Sequence, residues 1–142
     1  MKRYVAIGFV LLSVIVLCMS GCSDFRFNPI GTWTFSELKE YKDGKLIQTI
    51  TSDEDPYMKE ATLTFKKSGT GYIGGNKKDQ KFTYEYTDDS VTLNITDKSN
   101  DNYDVDYEVR DNGGSLVRII EKESVDENGK KVSLREEVIF KR

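Results

Sequence analysis

The chain has no histidine, and its two cysteines, Cys18 and Cys22, both fall within the first 22 of 142 residues. Without histidine, the commonest general base and the commonest transition-metal ligand are both missing. No Ser-His-Asp or Cys-His arrangement can be assembled. We therefore expect no enzyme, no catalytic residue and no cofactor. Carboxylates are plentiful, but most lie in turns or opposite apolar strand positions, where solvation explains them. Proline is scarce (Pro29 and Pro56), tryptophan occurs once (Trp33), and no stretch reads as a convincing amphipathic helix. A domain lacking disulfides must be held by its own core.

What is present begins with a leader. Lys2 and Arg3 precede Val5–Met19, a run without charge that is interrupted only by Gly8 and Ser13. The run is short for a bilayer span, which needs roughly 20 apolar residues. Its charged start, apolar middle and small-residue end match a secretory signal peptide. Met19-Ser20-Gly21-Cys22 resembles the lipobox of bacterial lipoproteins, with methionine standing where that family prefers leucine. The resemblance implies a signal peptide over 1–21 and a diacylglycerol on Cys22. Of 21 basic and 24 acidic residues, removal of Lys2 and Arg3 leaves 19 and 24 in segment 22–142, a formal charge of −5. An acidic domain offers no electrostatic reason to bind nucleic acid. Its membrane contact is expected through acyl chains, of which two or more hold a protein stably.

Residues 22–29 read as a lipidated tether closed by Pro29, and 30–142 as one domain. Ser23 follows the lipobox cysteine, with Asp24 one place later. By the sorting rule of enterobacterial lipoproteins this implies the outer membrane, with the leaflet left open.

From Gly31 onward the period is two. Trp33, Phe35, Glu37, Lys39 and Tyr41 read as one face, turned by Lys42-Asp43-Gly44-Lys45 into Leu46–Thr51. Pro56–Glu60 reads as a single helical turn with an acidic cap. Ala61, Leu63 and Phe65 alternate with polar residues, as do Phe82, Tyr84 and Tyr86. Val91, Leu93 and Ile95 follow, then Tyr103, Val105, Tyr107 and Val109. Asp111-Asn112-Gly113-Gly114 and Asp126-Glu127-Asn128-Gly129 set off the last two strands. Eight or nine short strands with turn chemistry between them predict an all-β, antiparallel, up-and-down barrel. Closure removes the exposed edges.

Ile30-Gly31-Thr32-Trp33 resembles the Gly-x-Trp signature opening the first strand of lipocalins and the wider calycin group, including lipocalin-like lipoproteins of Gram-negative bacteria. Leu63–Gly71 resembles their middle hairpin, and Val138–Arg142 their final strand. The resemblance implies a barrel closed at its base by Gly31, Trp33 and Arg142, with the arginine lying across the indole. It also implies carriage of a small hydrophobic or amphiphilic molecule. The alternative for Trp33 is a large core residue of an unrelated β-domain.

Phe65, Phe82, Tyr84, Tyr86, Tyr103 and Tyr107 recur on presumed inner faces, and are the candidate ligand-contacting residues. The same lining suits a barrel filled by its own side chains. Two functions therefore stay open: a tethered, monomeric carrier at the cell envelope, and a filled barrel serving as a structural or protein-interaction module. Glu136 shares parity with Leu134, Val138 and Phe140, and a buried carboxylate needs a partner; Arg118 has similar ambiguity. Asp97, Ser99, Asp101 and Glu108 fit an EF-hand-like count. Position 6 is Asn102 where the count calls for Gly, the strand that follows would aim Glu108 away, and a polar loop needs no metal, so none is assigned.

Overall fold

The computed structural model describes residues 25–74 and 80–142. The expected signal peptide, Cys22, Ser23 and Asp24 lie outside the described residues. Nine strands follow one another: β1 (Gly31–Lys42), β2 (Lys45–Thr51), β3 (Thr62–Phe65), β4 (Thr70–Gly74), β5 (Gln80–Tyr86), β6 (Ser90–Thr96), β7 (Asn102–Arg110), β8 (Ser115–Val125) and β9 (Lys131–Lys141). All pairings are antiparallel. β1 and β3 to β9 form a closed eight-stranded barrel, and β2 is an extra strand outside the ring. The expected all-β antiparallel barrel is thus the observed fold.

The extra strand arises because β1 is longer than its barrel neighbour. Gly31–Thr34 pair with Phe65–Thr62 of β3, which is only four residues long. Past that point the same edge of β1 is taken by β2, from Glu37↔Thr51 to Lys42↔Lys45. The other edge of β1 pairs with β9 from Thr34↔Lys141 to Lys42↔Leu134, with a bulge between Phe35 and Glu37. A bulge inserts an extra residue and shifts the in-out phase. Trp33 and Phe35 are buried, but beyond the bulge Leu38 pairs with Val138 and packs against the core. The single face predicted through Glu37, Lys39 and Tyr41 is therefore broken at Ser36.

β8 and β9 pair over their full length, whereas β7 meets β8 only from Glu108↔Val117 to Arg110↔Ser115. Beyond Val117, β8 leaves the barrel wall. Together with β9, the far half of β1, and β2, it forms a four-stranded wing in the order β2-β1-β9-β8. Residues 52–61, which join β2 to β3, contain the predicted turn. Asp55 Oδ1 accepts the Tyr57 and Met58 N–H groups at 2.9 and 3.3 Å, and Lys59 N–H bonds the Asp55 carbonyl. The acidic cap is Asp55, but the segment goes no further than turns and is not a helix.

The core runs through the barrel axis: Phe27, Trp33, Phe35, Leu63, Phe65, Phe82, Val91, Leu93, Ile95, Val105, Tyr107, Leu116 and Phe140 are all buried. Phe65 packs edge-on against Phe82 and Tyr84, and Phe140 against Phe35 and Tyr107. Such edge-to-face contacts stabilise beyond simple burial. The interior is occupied by its own side chains.

Candidate functional site

One end of the barrel is sealed. Trp33 has no accessible surface, and its indole N–H donates to the Pro29 carbonyl at 2.9 Å. The Arg142 guanidinium carbon lies 4.6 Å from the indole centroid. Its Nη1 donates to the Asn28 carbonyl at 2.9 Å, and Nη2 reaches the Gly113 carbonyl at 3.5 Å. Residues 25–29, within the stretch expected as a tether, cross this end. Phe27 is buried against Trp33 and Tyr86, and its N–H donates to Asp88 Oδ1 at 2.9 Å. Phe27 and Pro29 therefore belong to the barrel. The signal was there in Phe25, Phe27 and Pro29, which alternate with Asp24, Arg26 and Asn28 ahead of β1.

Gly31 sits at φ +125°, a conformation that L side chains rarely adopt, and a Cβ there would meet nothing within 4 Å. Its place at the head of β1 thus rests on backbone conformation. Close strand approach applies instead at Gly71, where a Cβ would run into the Thr64 carbonyl and the Phe82 ring. That position pins β4 against β3 and β5.

The candidate ligand-contacting residues do not surround a common hollow. Phe65, Phe82 and Tyr84 pack on one another, and Tyr84 donates its hydroxyl to the Lys66 carbonyl at 2.6 Å. Tyr107 is buried, and burial pushes its phenol up to about 12, against an opposing pull from the Arg118 charge. Tyr86 and Tyr103 share phase with buried Val91 and Ile95 but are 48% and 44% exposed, because they stand at the rim. A hollow of about 600 Å³ opens beside β4–β6, and of the candidate residues Phe82 alone borders it. Lys66, Tyr72, Lys81, Thr83 and Asn94 border it.

Sequence parity points to Glu136 as the buried carboxylate. The structure buries Glu137, on the opposite face, and leaves Glu136 partly exposed. Glu137 accepts from Arg110 Nη1 at 3.1 Å and Arg135 Nη2 at 2.9 Å. Arg110 also binds Glu108 at 2.8 Å, and Arg135 approaches Glu121 at 3.8 Å. These charges tie β7, β8 and β9 together where β7 and β8 part. The Glu108 hydrogen bond is the first of several contacts that raise the Arg110 pKa. Arg118 is exposed beside the resulting cleft between β7 and β8. Alternation cannot identify this cluster, because its members come from three strands.

The calcium-like count is not assembled. Asp97 Oδ1 accepts Ser99 N–H, Ser99 Oγ and Asp101 N–H at 2.8, 2.7 and 3.1 Å, so its carboxylate shapes its own loop. The Ser99 hydroxyl is the main reason its pKa is lowered. Glu108 turns to Arg110 instead.

Comparison of the chain with protein-family models, with curated proteins and with solved structures finds no match.

Proposed function

We propose that the chain is an envelope lipoprotein, anchored through Cys22, whose filled lipocalin-like barrel serves as a structural or protein-interaction module. The interior supports this reading. A lumen able to hold a small amphiphile would leave water-accessible surface on the side chains around it. Trp33, Leu63, Phe65, Val91, Leu93, Ile95 and Leu116 have essentially none. Interiors packed in this way admit a guest only by displacing side chains from their contacts. The lipocalin-like resemblance bears on architecture, and the carriage of a small molecule that it also implies is the reading the packed interior supports less.

What remains for recognition is the outer surface, above all the wing and its edges. Catalysis has no support in the chemistry of the closed end: Trp33, Arg142 and two backbone carbonyls hold one another and present no nucleophile or base. The lipobox pattern and Ser23 support the anchor and an outer-membrane address.

Native mass spectrometry of the full-length protein isolated from its own host tests the module against the carrier. The expected mass is that of the lipidated polypeptide, as one copy or two, with no bound small molecule. A stoichiometric apolar molecule, retained in the gas phase and released on denaturation, overturns the module reading.

A further inference from the structure

Among the described residues β2 pairs with β1 alone, and its outer edge is open except at its end, where the Thr51 N–H donates to Glu54 Oε2 at 2.8 Å. Open edges carry unpaired backbone donors and acceptors and invite another strand. Soluble proteins commonly blunt them with charge or proline. β2, Lys45-Leu-Ile-Gln-Thr-Ile-Thr51, carries one charge, at its first residue, and no proline. Leu46 and Ile47 are 53% and 57% exposed, beside the register shift opposite Glu40 and Tyr41. The free edge of β8 differs: Arg118, Glu121, Lys122 and Glu123 stud it with charge.

The ends of β2 are opposite in sign. Lys45 stands at the hairpin end, and Asp53, Glu54 and Asp55 follow the other end. Parallel pairing of two β2 strands in register would set Lys45 against Lys45. Antiparallel pairing centred on Gln48 sets Lys45 of one copy against Thr51 of the other, next to that acidic run. It also sets Leu46 against Ile50, and no like charges face each other within the strand. A hollow of about 390 Å³, bordered by Gln48, Thr49, Ile50, Glu54, Asp55 and Pro56, lies towards the acidic end of the strand.

We propose that the β2 edge is a docking surface for a second copy of this chain. Two β2 strands pair antiparallel about Gln48 and join the two wings into one continuous sheet. The symmetry is twofold and closed, so the assembly stops at two copies and does not grow into a fibre. A chain with a formal charge of −5 over 22–142 repels its own kind at long range. Lys45 beside the acidic run relieves that repulsion locally. The pairing is independent of the anchor and of the reading of the barrel interior, and its failure leaves both standing.

Directly opposed residues in antiparallel strands have Cα atoms roughly 4.5–5.5 Å apart. Disulfides span about 4.4–6.8 Å. Gln48→Cys in the full-length chain, under mild oxidation, should give a disulfide-linked dimer several-fold above the unsubstituted chain treated alike. Ser124→Cys, on the β8 edge, should stay at the background of the unsubstituted chain. Adding Lys45→Glu to Gln48→Cys should lower the dimer yield, and adding Asp53→Lys to that pair should restore it. Background cross-linking at Gln48→Cys overturns the proposal, leaving the edge to another protein or to water. Linkage at Ser124→Cys equal to or above that at Gln48→Cys also overturns it, by moving the contact to β8. Insensitivity to the charge swap overturns the antiparallel register.

Discussion

Replacing Arg142 with alanine removes the cap over the only tryptophan. Two contributions are lost. The guanidinium leaves an indole face 4.6 Å away, worth about 0.5–1 kcal/mol at an exposed site. It also gives up a 2.9 Å hydrogen bond to the Asn28 carbonyl, worth about 0.5–1 kcal/mol once water competes. The 3.5 Å approach to Gly113 adds little. The expected cost is therefore about 1–2 kcal/mol, where an ordinary surface substitution costs less than about 0.5. For a small domain each kcal/mol lowers the melting temperature by roughly 4–8 °C. Circular dichroism reads the melt, and Trp33 emission, free of any other indole, reads the ring's surroundings. The variant should melt several degrees lower and emit further to the red. Arg142→Lys keeps the charge without the planar fork and should fall between. Combined with Trp33→Phe and followed by circular dichroism, Arg142→Ala should cost less than the separate effects summed. Additivity within about 0.3 kcal/mol, or an unshifted emission band, refutes the cap.

Trp33→Ala should cost about 3–5 kcal/mol by chemical denaturation, enough to unfold much of a marginal domain; an unchanged midpoint would place Trp33 outside the cooperative core. Gly71→Ala should destabilise by about 1–3 kcal/mol through overpacking against Thr64 and Phe82, whereas Gly31→Ala should act through backbone strain alone. Tyr107 titrates near 12 when folded and near 10 when unfolded, so its neutral form favours the fold. Between those values the unfolded chain holds fewer protons, and stability falls as pH rises, by up to about 1.4 kcal/mol per unit. Tyr107→Phe should lose less stability than the parent between pH 10 and 12, and identical slopes would contradict this. Cys22→Ala should leave the membrane fraction and block labelling by a palmitate analogue, and normal labelling would rule out the anchor.

Strand positions were largely legible because alternation and turn residues such as Asp-Asn-Gly-Gly act locally. Asp111 and Asn112 do take left-handed conformations at that corner, and Asp111 holds Ser115 through a 2.6 Å side-chain hydrogen bond. Two features of the strand pairing were not legible. The bulge after Phe35 comes from the pairing of β1 with β9, strands about a hundred residues apart in sequence, and it reverses the phase of every position behind it. The same reversal defeats any simple count of which face Glu37 or Leu38 takes. Membership of β2 in the wing depends on β3 being too short to cover β1, a comparison of lengths that neither segment carries alone. For the closed end, Trp33 and Arg142 were named by resemblance, and their contact is one of the distances observed. Phe27 and the Glu137 cluster needed the fold, since their partners come from remote segments.

The grip on β1 has a mechanical consequence. Gly31–Thr34 are bonded to β3 on one edge, and Thr34–Lys42 to β9 on the other, all antiparallel to β1. Traction arriving along residues 25–29 pulls β1 lengthwise, so its ladder bonds bear the load together in shear. They are not peeled one after another, as they would be at a hairpin tip. Phe27, held by Asp88 and wedged on Trp33, must first come free. Under tension the domain's survival is then a matter of how fast it opens, and equilibrium stability is a poor guide to that rate.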